Sequence, residues 1–245
     1  MIGILLLCKN EAQAIPFICE QLNEYRDNNE FYILFVDGNS EDGSKELISK
    51  LGFNVISQSK SGMRTAINEG VLKLLSKNVK HIVFAQPDGN CDISLMNTVI
   101  QPLISEDFDM VIASRYLDDS ESFDDTFVSA LGNRLFTKLI SFLSKFAYTD
   151  AMVGYRGIKV EVIINLNILS NSKFKIFEKL FFTSLGWDPL LSTICPLYGY
   201  KVKEVAISEP PRLGGVVKKQ TIRWGLAYFS QVIIWGAIIR FSPKL

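Results

Sequence analysis

The sequence predicts an α/β fold in which helices flank a mostly parallel central sheet. Apolar runs of strand length recur through the first half, at residues 2–8, 31–37, 53–57, 80–86 and 109–114. The stretches between them, 12–26, 43–51, 62–77 and 92–104, carry helical spacing or helix-start residues. Strands alternating one by one with helices are the pattern of crossover units, each helix returning the chain so that the next strand lies parallel to the last.

The elements can be justified in order. Ile2 to Leu7 are apolar at nearly every position, as a strand covered on both faces requires. The run has no basic leader and reaches Lys9, Asn10 and Glu11 too soon for a signal peptide, so it reads as the first buried strand. Asp42, Gly43 and Ser44 stand ahead of Leu47 and Ile48, which is a helix-start composition. Residues 116–125 form an acidic loop whose expected role is solvation. Across residues 126–147, Phe127, Leu131, Leu135, Leu139, Phe142 and Phe146 share one side of a long helix, with Arg134, Lys138 and Lys145 largely on another. Helices near 176–186 and 188–199 and a strand at 201–207 follow.

Composition narrows the chemistry. The chain has 245 residues, 48% hydrophobic and 21% charged, enough for a full core and unlike a disordered tail. Basic and acidic residues number 26 each, which argues against nucleic-acid binding through bulk positive charge. The balance is a sum of unlike parts: after Glu209 there are six basic residues and no acidic one, leaving 20 basic against 26 acidic before it. The one histidine, His81, excludes a multi-histidine metal site and leaves a Ser-His-Asp triad hard to place, so any metal is held mainly by oxygen. Cys8, Cys19, Cys91 and Cys195 form no C-x-x-C pair and read as reduced, buried thiols in a cytosolic setting.

In an open parallel sheet, ligands sit beyond the carboxyl ends of the strands, which singles out Lys9 to Glu11, Asp37 to Ser44 and Gln86 to Asp92. Asp37 follows a strand, where a carboxylate can hydrogen-bond a base or ribose and Gly38 and Gly43 permit a tight turn. The other reading of this segment is an ordinary turn. Gln86, Asp88 and Asn90 offer oxygens at alternate positions around Pro87, a set suited to Mg²⁺ or Mn²⁺ carrying a diphosphate; the alternative is again a Pro-Asp-Gly turn.

These motifs, in this order, resemble glycosyltransferase family two, of GT-A fold. The resemblance runs through Asn10-Glu11, Val36-Asp37-Gly38-Asn39-Ser40, Gly62 to Gly70 and Gln86-Pro87-Asp88-Gly89-Asn90. It continues through Ser114-Arg115-Tyr116, Gly132-Asn133-Arg134, Thr149-Asp150, Tyr155-Arg156, Glu204-Val205 and Pro211-Arg212 to Lys218, a later set similar to the dolichyl- and undecaprenyl-phosphate sugar transferase branch. It implies that Lys9, Glu11 and Asp37 surround a donor nucleotide and that Asp88 binds the metal with help from Gln86 and Asn90. It further implies that Arg212 and Lys218 stabilise the leaving diphosphate from a loop hinged at Gly214 and Gly215, and that Arg115 and Arg134 hold an acceptor phosphate. The structural alternatives are an ion pair of Arg115 with Asp118 or Asp119 and a Lys218 that snorkels beside a membrane. Four positions depart from the pattern: Leu7 and Lys9 stand for its proline and tyrosine, Gly38 for its second aspartate and Gln86 for the first aspartate of its Asp-x-Asp.

The expected activity is inverting transfer of a hexose from a GDP- or UDP-linked donor to a polyprenyl phosphate. Such a phosphate, with a second pKa of about 6, is already ionised and needs no general base. The rival is transfer to a glycan or glycolipid hydroxyl, for which Asp150, Glu178 and Asp188 are candidate bases; a non-catalytic donor-binding subunit is a third reading. A sugar nucleotidyltransferase is disfavoured, because no Gly-rich loop follows Leu7.

The chain divides into a GT-A domain at 1–220 and a C-terminal hydrophobic helix at 221–245. Residues 224–239 carry no charge. As a helix they reach roughly 24 Å at about 1.5 Å per residue, short of a hydrocarbon core of about 30 Å. Flanked by Arg223 and Arg240 and bearing Trp224, Tyr228 and Trp235, they suit a helix lying in the cytoplasmic leaflet. The alternative is a terminal helix packed on the domain or on a second subunit.

Overall fold

The computed structural model describes residues 1–214 and 221–241. Lys218, expected at the diphosphate, and Gly215 of its hinge lie outside the described residues. The elements run β1 (Ile2–Cys8), α1 (Ile15–Arg26), β2 (Phe31–Asp37), α2 (Ser44–Lys50), β3 (Asn54–Ser57), α3 (Met63–Leu75), β4 (His81–Ala85) and α4 (Met96–Ser105). They continue with β5 (Met110–Ser114), α5 (Phe127–Ser144), β6 (Arg156–Lys159), α6 (Val160–Asn165), α7 (Lys175–Phe181), α8 (Asp188–Leu197), β7 (Val202–Ala206) and α9 (Thr221–Phe241).

One seven-stranded sheet has the order β3-β2-β1-β4-β6-β5-β7. All neighbours are parallel except β6, which is antiparallel to both β4 and β5. The carboxyl ends of β1, β2, β4, β5 and β7 therefore share one edge. That edge carries Lys9, Gly38, Gln86, Arg115 and the approach to Glu209.

Alternation along β1 splits the core in two. Leu5 faces a cluster with α3, α5, α8 and α9, while Ile4, Leu6 and Cys8 face one with α1 and α4. Each fully buried leucine, isoleucine or phenylalanine contributes roughly 1.5–3 kcal/mol. Gly70 lets α3 sit hard against the sheet, since a Cβ there would come within 2.5 Å of Leu5 Cδ1. The long helix α5 starts where expected, at a capping box between Thr126 and Ser129.

Arg156 opens β6 and is fully buried. Its Nη1 donates to the Asp188 carbonyl and Ser192 Oγ, each at 3.1 Å, its Nε donates to Val153 O, and Asp188 is its ion-pair partner at 3.2 Å. This complete set of partners is what makes a buried guanidinium tolerable.

Helix α9 is seated on the domain. Trp224 Nε1 donates to Ser184 O, Gln231 and Trp235 donate to Lys173 O, and the Tyr228 hydroxyl accepts the Gly186 N–H at 2.6 Å. By length and composition Arg223–Phe241 suffices to cross a membrane, but a third of it is buried against the protein.

Candidate functional site

The loops after β1 and β2 hold each other in place. Asn10 N–H donates to Ser40 Oγ, Glu11 N–H to Ser44 Oγ and Ala12 N–H to Asp42, each at 2.9 Å, while Asn10 Oδ1 accepts from Glu41 N–H. Gly38 N–H donates to Cys8 O at 2.7 Å. A Cβ at Gly38 would approach Lys9 Cβ to 3.1 Å, so two of the four departures from the family pattern meet at one place.

Beyond the strand ends lies a cavity of about 750 Å³, within the range of small-molecule sites. Its walls include Lys9, Glu11, Gln86, Asp88, Arg115 and Arg212, so six of the sequence-predicted residues converge there. A smaller cavity of about 480 Å³ adjoins it and shares Ser61, Gly62, Met63 and Trp224.

Asp88 sits in a turn that Gly89 completes at φ +89°. The carboxylate is buried and ion-pairs with Arg212 Nη1 at 3.0 Å. Arg212 Nη2 reaches Asp124 at 3.6 Å. Leu213 N–H donates to Asp88 O at 3.0 Å, and the Leu213 side chain fills the space where a Cβ of Gly89 would stand. Burial raises the Asp88 carboxyl above its ordinary range, and the Arg212 charge opposes that rise. Gln86 is exposed to the cavity and presents an amide.

Other expected residues lie elsewhere. Asn90 donates its amide N–H to Glu209 Oε1 at 3.3 Å and is not among the cavity-lining residues, so Gln86 and Asp88 are the polar side chains of the turn that line the cavity. The Asp37 carboxylate accepts the Ser40 N–H at 3.1 Å within its own loop, and Gly38 and Gln58 line the cavity beside it. Arg134 is exposed on α5 and outside the cavity wall; its neighbour Asn133 faces in.

Arg115 lines the cavity but is committed to carboxylates. Its Nε donates to Asp150 Oδ2 at 2.7 Å, and Nη1 lies 3.2 Å from Glu209 and 3.8 Å from Asp125. Burial works against its charge, yet Asp150 and Glu209 outweigh burial and hold the guanidinium above its usual range. Its partners are thus Asp150 and Glu209, not the adjacent Asp118 or Asp119. The acidic loop is also more than a solvated face, since Asp124 reaches Arg212 and Asp125 reaches Arg115 and the Tyr116 hydroxyl.

The three candidate bases separate clearly. Asp150 is fully buried under Arg115 and Asn133. Glu178 pairs with Arg64 and accepts Leu185 N–H. Asp188 alone of the three lines the main cavity, where burial pushes its carboxyl up against the opposing charge of Arg156.

Among the described residues no cluster of three or more His, Cys, Asp or Glu side chains is placed to hold a metal. One carboxylate and one amide oxygen fit an ion that keeps waters and takes its remaining ligands from a diphosphate.

A sheet of this topology with an acidic turn at the β4 end, opening on a nucleotide-sized cavity, defines a nucleotide-sugar transferase fold. Residues 4–166 match the family model "Glycosyl transferase family 2", and the chain belongs to that family. A Haloferax volcanii protein named glycosyltransferase AglJ is 26% identical over 206 residues, which are 84% of this chain and 62% of that one. This chain thus spans less than two thirds of that relative. A dolichyl-phosphate hexose transferase of the same organism is 25% identical over 205 residues, 84% of this chain and 81% of the relative. Among solved structures, Mycobacterium tuberculosis glucosyl-3-phosphoglycerate synthase with bound phosphoglyceric acid superposes with TM-score 0.67 at 15% identity, covering 97% of this chain and 80% of that one. The same enzyme crystallised with Mn²⁺, UDP and glucosyl-3-phosphoglycerate gives 0.62 at 14%, covering 98% and 79%. Rubrobacter xylanophilus mannosyl-3-phosphoglycerate synthase gives 0.65 at 15%, covering 100% and 76%.

Proposed function

We propose that the chain is a divalent-cation-dependent hexosyltransferase that moves a sugar from a GDP- or UDP-linked donor to a polyprenyl phosphate at the cytoplasmic membrane face. The observation that carries this reading is the meeting of Gln86, Asp88 and Arg212 at one end of the cavity, with Lys9 and Glu11 at the neighbouring strand end. Asp88 and Gln86 are the residues that would hold Mg²⁺ or Mn²⁺, whose chemistry there is to neutralise the departing diphosphate. Arg212, on a segment that ends in Gly214, is placed to turn its guanidinium from Asp88 to that diphosphate. The names of the two Haloferax relatives and the Mn²⁺–UDP complex of the mycobacterial enzyme support the donor and cation; the dolichyl-phosphate relative supports the acceptor.

The test is radiolabelled donor incubated with polyprenyl phosphate and Mn²⁺. A lipid product labile to mild acid is expected. Donor hydrolysis without such a product would refute the acceptor. One observation favours the rival hydroxyl acceptor: Asp188 faces the cavity with a raised carboxyl pKa, as a general base would. Asp188 also balances the buried Arg156, so Asp188→Asn separates the two where its far-UV spectrum and melting temperature match the parent's: a hydroxyl acceptor then loses turnover without its base, and an ionised phosphate needs none.

A further inference from the structure

We propose that the outward faces of α5 and α9 together form a docking surface for an anionic lipid leaflet. This rests on the membrane-acceptor reading above and goes beyond it, because the surface is not the terminal helix alone. On α5, Leu131, Leu135 and Phe142 are 49%, 60% and 70% exposed and fall on one helical stripe. On α9, Leu226, Phe229 and Ile234 are 50%, 45% and 46% exposed. The two helices are neighbours: the Phe136 and Phe229 rings meet edge to face at 6.2 Å, and Arg240 donates to Phe142 O at 2.7 Å. Exposed apolar residues gathered on two neighbouring helices mark a candidate interaction site.

Charge selects the occupant. The two helices carry Arg134 and Lys138, and Arg223 and Arg240, with no acidic residue on either, in a chain whose acidic and basic residues are equal in number. Contrary to the expectation that they lie on another side of the helix, Arg134 and Lys138 are exposed on the same face as Leu131, Leu135 and Phe142, where their heads can reach lipid phosphates while their stems lie along the apolar stripe. Arg134, which the cavity does not use, thereby gains a role. The acidic residues Asp118, Asp119 and Glu121 precede the capped start of α5, so its later turns are those set against the leaflet. A second copy is the poorer occupant, because a symmetric pairing of this face would oppose basic residues with no acidic partner.

The inner faces of the same helices line the cavity through Ser129, Gly132, Asn133 and Phe136 of α5 and Trp224 and Tyr228 of α9. A leaflet on the outside therefore lies one helix diameter, about 10 Å, from the site. That arrangement brings a lipid-borne phosphate to the cavity without extracting the whole lipid.

The test is flotation of the full chain, without donor or acceptor, on vesicles of phosphatidylcholine with or without phosphatidylglycerol. Binding is expected on the anionic vesicles and at least tenfold less on neutral ones. The double substitution Leu135→Glu and Phe142→Glu should lower anionic binding at least tenfold with an unchanged melting temperature, and Arg134→Glu with Lys138→Glu should remove the anionic preference. Three results overturn the surface: no binding to anionic vesicles, undiminished binding by the apolar double variant, or a parent dimer that this variant converts to monomer. Transfer to polyprenyl phosphate in detergent micelles tests the acceptor separately, since it needs no leaflet. Micellar transfer without vesicle binding overturns the surface alone, and vesicle binding without transfer supports it while refuting the acceptor.

Discussion

With Asp88 proposed as the carboxylate that holds the cation, Arg212 and a divalent cation would compete for it, which makes Arg212→Ala informative in both directions. The pair is 3.0 Å long, with the Arg212 side chain 19% and the Asp88 side chain 5% exposed. It therefore lies between surface ion pairs, worth about 0.2–1 kcal/mol, and fully buried ones, whose disruption costs about 3–5 kcal/mol. An interaction of about 1.4–2.8 kcal/mol corresponds to a ten- to hundredfold factor in binding. Nucleotide-free protein should thus bind Mn²⁺ ten- to a hundredfold more tightly after Arg212→Ala, read from the loss of the free Mn²⁺ resonance. Turnover with donor present should fall, because the same guanidinium no longer meets the diphosphate. Tighter cation binding with slower turnover is the signature of a residue that exchanges partners. Unchanged or weaker Mn²⁺ affinity in a protein that keeps its circular dichroism would refute the competition.

Other consequences follow from the same packing. Asp88→Ala should abolish cation-dependent donor turnover with the far-UV spectrum unchanged; substantial retained nucleotide release removes Asp88 from the centre of the reaction. Gly89→Ala should destabilise the fold by about 1–2 kcal/mol, since a side chain at φ +89° is strained and its methyl would stand 2.5 Å from Leu213 Cγ; an unchanged urea midpoint contradicts this. Tyr228→Phe leaves the buried Gly186 N–H without its acceptor, at a cost of about 1–3 kcal/mol, and a melting temperature equal to the parent's would show that α9 is not seated as described. Burial pushes the thiols of Cys8, Cys19 and Cys195 up to about 12 and that of Cys91 higher still. Raised values keep all four protonated at neutral pH, so native protein should resist thiol reagents until denatured; fast labelling of any one in the native state refutes the burial.

The parallel half of the sheet was legible because its strands are unbroken apolar runs ended by turn residues, as in Ile2–Cys8 and Phe31–Asp37. The strand β6 was not, because a buried arginine and a glycine open it and only four residues pair. Arg156 reads as a surface residue until Asp188 and Ser192, more than thirty positions away, are brought to it. The same long-range closure hid the partners of Arg115. Asp150 and Glu209 reach it from the loop before β6 and from beyond β7, whereas Asp118 and Asp119 were only near in sequence. Lys9, Glu11, Gln86, Asp88 and Arg115 come together at one cavity because a sheet edge gathers strand ends whatever the side chains do. Arg134 does not join them, because on a helix one position turns a side chain by about 100°, and Asn133 takes the inward direction.

The substitution of Gln86 for the first aspartate of the motif gains a physical reason from these contacts. With one carboxylate at the turn, a single guanidinium neutralises it, and Arg212 does so at 3.0 Å while Leu213 closes over Gly89. A second carboxylate at 86 would leave a net negative turn beneath that segment and favour a permanently bound cation. With glutamine there, Asp88 is balanced by Arg212, and under the proposed function a cation arriving with a diphosphate would take that carboxylate while the diphosphate offered the displaced guanidinium a new anionic partner. Such an exchange would conserve paired charge at each stage. On that proposal a neutral amide at Gln86 would tie cation affinity to the presence of the donor, which an aspartate would not.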